Sequence, residues 1–99
     1  VPDGMCIDAE GMLWIALFGG GCVTRWNPIS GQLLDRLELP CRQVTSCCFG
    51  GPNLDQLFIT TARREMDAAA IKAEPLAGGL FQAEVGVKGL AAACFQVAV

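Results

Sequence analysis

Histidine and tyrosine are both absent from the 99 residues. Without histidine, the chain alone cannot assemble a Ser-His-Asp triad, a Cys-His dyad or a His-bearing zinc site. Without tyrosine there is no phenol to exchange protons. Charge is scarce as well: 7 Lys+Arg stand against 10 Asp+Glu, for a net charge of −3. That balance leaves no basic footprint for a phosphate backbone, so no nucleic-acid partner is expected. No apolar run approaches the roughly 18 residues of a membrane span, and no membrane partner is expected. No Cys-x-x-C pair occurs among Cys6, Cys22, Cys41, Cys47, Cys48 and Cys94, which argues against zinc knuckles and thioredoxin-type redox motifs. The run Gly19-Gly20-Gly21 lacks the Lys-Ser/Thr that would make it a phosphate loop. An initiator methionine and a signal-like segment are missing too, since the chain opens Val1-Pro2-Asp3. The expectation is a piece of a longer cytoplasmic protein.

What the chain has in quantity is apolar surface, 53% of its residues. That is the opposite of a disordered tail and calls for a core. Most cysteines lie in apolar runs such as Met5-Cys6-Ile7 and Cys47-Cys48-Phe49, so they read as reduced thiols packed like small hydrophobes.

Turn signals divide the chain into short strands. Residues 5–7, 13–18, 22–26 and 33–39 are apolar or alternating, and Gly11, the triple glycine and Asn27-Pro28-Ile29-Ser30-Gly31 separate them. In that last turn Pro28 presets φ and Gly31 supplies a left-handed position. These four strands form one antiparallel meander. The order then restarts: 45–49 mirrors 4–7, and Leu57 falls 44 positions after Leu13. A four-stranded unit recurring every 40–45 residues has the period of a β-propeller blade, although an ordinary sandwich shares much of the pattern. The second unit is interrupted by the Ala-rich stretch 63–75, open to a short helix or a loop; strands over 80–85 and 94–99 would complete it. The fold expected is all-β, with blades over about 3–40 and 44–99.

Several side chains suggest chemistry. Asp8 and Glu10 read as solvated carboxylates of a turn, and Cys47 and Cys48 as two separate buried thiols on opposite strand faces. Trp14 and Trp26 read as packing between blades. Thr45-Ser46 occupies the place that Asp3 holds in the first unit, and its hydroxyls suit turn hydrogen bonding or a substrate. Arg63 and Arg64 close an inner loop near the rim.

The wording of the motifs adds to this. Pro2-Asp3-Gly4-Met5-Cys6-Ile7-Asp8, Gly11-x-Leu13-Trp14-Ile15-Ala16, Asn27-Pro28-x-x-Gly31, Thr45-Ser46-Cys47-x-Phe49-Gly50-Gly51 and Pro75-x-Ala77-Gly78-Gly79-Leu80-Phe81 keep order and spacing. Together they resemble the regucalcin (senescence marker protein 30)/gluconolactonase family over residues 2 to about 90, with a divergent tail over 90–99. The resemblance implies the last two blades, the C-terminal third, of a six-bladed propeller that hydrolyses sugar lactones. It implies one divalent ion, such as calcium, zinc, manganese or magnesium, held by a glutamate, two asparagines and an aspartate. Asp3 is the position that matches the aspartate, and the resemblance makes it both metal ligand and catalytic proton acceptor. The other ligands would belong to missing N-terminal blades. Read by itself, Asp3 is a hard oxygen donor at the head of an inner strand, or merely an Asp that starts a turn before Gly4. Two functional classes follow: part of a lactone hydrolase, or a truncated, non-catalytic propeller fragment that serves as a binding module.

Overall fold

The computed structural model describes residues 1–92. Strands β1 (Pro2–Ile7), β2 (Leu13–Leu17), β3 (Cys22–Trp26) and β4 (Leu33–Glu38) pair antiparallel in chain order as one four-stranded sheet. A second antiparallel sheet holds β5 (Val44–Gly50), β6 (Gln56–Thr61) and β7 (Leu80–Glu84), again in chain order. The fourth strand expected over 94–99 lies outside the described residues. Between β6 and β7 the Ala-rich stretch forms the short helix α1 (Ala68–Ala73), capped by Asp67, whose carboxylate accepts from the Ala70 amide at 2.8 Å. The fold is thus all-β with one brief helical insertion.

The turns follow their residues. Asn27 Oδ1 accepts from the amides of Ile29 and Ser30, and Gly31, at φ 74°, returns its amide to the Asn27 carbonyl. Alternation then sorts the faces. On β2, Trp14 and Ala16 point inward and are buried, while Leu13, Ile15 and Leu17 point the other way and are half covered. Trp14, Ala16, Val23, Val44, Cys47, Leu57 and Ile59 form one core cluster shared by both sheets. Each large member contributes roughly 1.5–3 kcal/mol by leaving water. Trp14 meets Phe49 of β5 edge-on, ring centroids 6.0 Å apart, so this tryptophan does pack between the sheets. Trp26 is half-buried on the opposite face and donates to Thr24 Oγ1 within its own sheet.

The two sheets repeat each other down to their irregularities. Met5 pairs with Ile15 and Cys6 with Trp14; in the second sheet Cys47 pairs with Ile59 and Cys48 with Phe58. Both innermost strands bulge near their starts, β1 between Pro2 and Met5 and β5 between Val44 and Ser46. Asp3 therefore corresponds to Thr45, and Gly4 to Ser46. These two strands lie against each other, and their approach requires a glycine. A Cβ on Gly4 would sit inside the Ser46 side chain, 2.8 Å from its Cα.

Candidate functional site

Asp3 sits on the β1 bulge with its side chain exposed. A bulge adds a residue to one strand and re-aims the side chain there, which frees Asp3 from the sheet face. The carboxylate stands in the wall of a cavity of about 280 Å³ lined by Val1, Pro2, Phe18 and Arg64. Arg64 reaches this place because its backbone is held twice by one side chain. Gln43 Nε2 donates to the Arg64 carbonyl at 2.8 Å, and the Arg64 amide donates to Gln43 Oε1 at 2.7 Å. The guanidinium itself is loosely paired, 3.9 Å from the exposed Glu65 carboxylate. The fold thus brings Asp3 and Arg64 to one cavity. Arg63 lies elsewhere, alongside Gly78. Thr45, on the equivalent bulge, pairs its hydroxyl with that of Thr60 at 2.7 Å, and Ser46 packs on Gly4.

The expectation for Asp8 is overturned. It is not a solvated turn carboxylate but is completely buried. Its Oδ1 accepts from the amides of Glu10 (2.9 Å) and Met12 (3.1 Å), and its Oδ2 from Trp14 Nε1 and Arg25 Nε, both at 2.9 Å. Burial pushes its carboxyl up, but these donors outweigh it and hold the group below the usual carboxylate value. Glu10, largely exposed, adds an outer ion pair to Arg25 at 3.0 Å. The guanidinium also lies over the Trp14 ring, 5.7 Å from its centroid. Sequence reasoning missed this cluster because three donors come from the following turn and strand and the fourth from β3. The available signal was register: Trp14 and Arg25 are cross-strand partners on one face.

The cysteine pattern also needs correction. Cys47 is buried, but Cys48, on the opposite face of β5, is exposed rather than a second buried thiol. Cys6 and Cys47 meet across the sheets with sulfurs 3.8 Å apart. As for a divalent ion, no three Cys, Asp or Glu side chains converge among the described residues. The donor set offered near the Asp3 cavity is one carboxylate, which fits a single position in the shell of a hard cation and not the whole shell.

Residues 1–63 match a family described as the SMP-30/gluconolactonase/LRE-like region. Human regucalcin is 49% identical over 92 residues, covering 92% of this chain and 31% of that protein. Regucalcin of Danio rerio is 50% identical over 91 residues, covering 91% and 31%. Among solved structures, a calcium-binding protein, regucalcin, from Agrobacterium tumefaciens superposes with a TM-score of 0.84 at 39% identity, over 90% of this chain and 30% of that one. A luciferin-regenerating enzyme superposes with a TM-score of 0.79 at 40% identity, over 91% and 30%. The chain therefore spans about 31% of the length of the curated relatives it matches.

Proposed function

The chain belongs to the SMP-30/gluconolactonase/LRE-like family, and from that premise we propose that it supplies two blades of a six-bladed propeller and one wall of a sugar-lactone hydrolase site. The observation that carries this reading is Asp3: an exposed carboxylate on an inner-strand bulge, facing a cavity it shares with Arg64. A divalent ion such as calcium, zinc, manganese or magnesium, when bound, supplies Lewis acidity toward a carbonyl and toward water. The chain's own contribution is one oxygen ligand and a proton acceptor, both at Asp3. A carboxylate oxygen within hydrogen-bond reach of water takes its proton as the water attacks the lactone carbonyl. Arg64, which lines the same cavity, offers guanidinium donors for the sugar oxygens. Gly4 keeps the backbone beside Asp3 free of a side chain, and the contact of β1 with β5 fixes the bulge.

The remaining ligands fall to other blades, a reading supported by the 31% coverage of the relatives. The same coverage, together with the single carboxylate, favours a second reading for the 99 residues taken alone: a non-catalytic propeller segment without lactonase activity. Asp3→Asn in a chain carrying all six blades tests the first reading. It preserves shape while removing the charge and the proton acceptor. Lactone hydrolysis at saturating divalent metal should fall by about a hundredfold or more, the scale of general-base contributions. Near-unchanged turnover would show that Asp3 only shapes a turn.

A further inference from the structure

The pairing of Cys6 and Cys47 carries a consequence independent of lactone chemistry. Both residues occupy corresponding stretches of the two innermost strands, so the stacking of the sheets brings their sulfurs to 3.8 Å. Cys47 is buried, with Sγ also 3.5 Å from the Trp14 carbonyl. Cys6 is half-buried, and with Cys48, Phe49 and Leu54 it forms part of the wall of an apolar cleft of about 550 Å³. Cys6 thus borders the cleft, and the sulfur of the buried Cys47 lies within 3.8 Å of its own. We propose that Cys6 and Cys47 form a covalent modification site, a dithiol that a hydroperoxide-class oxidant converts into a disulfide joining the two sheets.

The chemistry follows the asymmetry of the pair. Cys6, the partly exposed partner at the cleft wall, is the thiol that meets the oxidant and reacts as its thiolate. The pairing lowers the Cys6 thiol against the opposing pull of burial and the Asp8 carboxylate, and the same pairing together with burial pushes Cys47 up. Its sulfur attacks one peroxide oxygen, the O–O bond breaks, and hydroxide leaves with the thiol proton as water. The product is a sulfenic acid on Cys6. The Cys47 sulfur then attacks the Cys6 sulfur, the S–O bond breaks, and the departing hydroxide takes the Cys47 proton as a second water. In sum, two thiols and one hydrogen peroxide give one disulfide and two waters, two electrons passing from sulfur to peroxide. The sulfurs need to close from 3.8 Å to the bonded distance of about 2 Å. Side-chain rotation of Cys6, the less enclosed partner, serves that approach.

The test treats the full 99-residue chain with hydrogen peroxide, alkylates the remaining thiols, and maps cross-links by mass spectrometry of a non-reduced digest. The expected product is a Cys6–Cys47 linked pair two hydrogens lighter, restored by dithiothreitol. It should form about tenfold faster than thiol is lost at Cys22 or Cys41, whose ionisation burial disfavours. In Cys47→Ser, Cys6 should stop at the sulfenic acid and be trapped by dimedone; in Cys6→Ser, Cys47 should stay reduced. If either variant fails to fold, the map of the unaltered chain decides alone. A dominant Cys6–Cys48 link, free thiols at both positions while Cys48 is oxidised, or the same link pattern in urea-unfolded chain would overturn the proposal.

Discussion

Replacing Asp8 by asparagine isolates the buried cluster that joins the first turn to β2 and β3. The carboxylate accepts four hydrogen bonds, two on each oxygen, and pairs with an Arg25 side chain that is only 17% exposed. An asparagine has one oxygen, so whichever way it turns, its NH2 faces two donors. The change also leaves Glu10 as the only carboxylate paired with the guanidinium among the described residues. Breaking a fully buried pair costs about 3–5 kcal/mol. Arg25 keeps some solvent and the outer pair, so the expected cost here is about 2–3 kcal/mol. Amide hydrogen exchange reads this locally at Glu10 and Met12, whose amides donate to Asp8. Their protection should fall about 30- to 150-fold, since each 1.4 kcal/mol is tenfold. The control Glu10→Gln removes only an exposed partner and should cost under about 1 kcal/mol. The sign with pH is fixed by the lowered Asp8 carboxyl. Its stabilisation is complete above the ordinary 3.8 and drains away as pH falls through the lower folded value. The asparagine variant has no such component, so the gap between the proteins should close below pH 3.8. Unchanged exchange at Met12 in Asp8→Asn, or a gap that persists in acid, would refute the reasoning.

Two further outcomes test the packing. Gly4→Ala would place a methyl inside Ser46 and prise β1 from β5. Overpacking of this kind costs about 1–3 kcal/mol, or roughly 4–8 °C of melting temperature per kcal/mol for a chain this size. Circular dichroism melting reads the loss, the double variant with Ser46→Gly should recover part of it, and an unshifted Gly4→Ala melt would contradict the close approach. The face of the first sheet turned away from the second presents Met5, Ile7 and Leu33, 54%, 45% and 45% exposed. The 99-residue chain should therefore self-associate through this face, and Met5→Ser with Ile7→Thr should reduce it. Sedimentation velocity showing a monomer at every concentration would dispose of that expectation.

Local chemistry fixed much of this molecule in advance. Apolar runs bounded by Gly11, Gly31 and Pro40 marked four antiparallel strands, because alternation and turn residues act within a few positions of one another. The recurrence of Leu13 at Leu57 announced the second sheet, and the Pro2-Asp3-Gly4 wording carried the family. The Ala-rich stretch did not choose between helix and loop; the Asp67 cap and local bonding made it helical. What sequence left undetermined depends on distance through space. Asp8 looked like any turn carboxylate until Trp14 and Arg25 closed over it from neighbouring strands. Cys48 looked as buried as Cys47 until the sheet faces were assigned. Arg64 reached the Asp3 cavity because Gln43, far from it in the chain, holds its backbone at two points, and Cys6 reached Cys47 because β1 lies against β5. A chain's pattern sets the period of its strands, whereas burial, partners and charge states are set by which strands then stack.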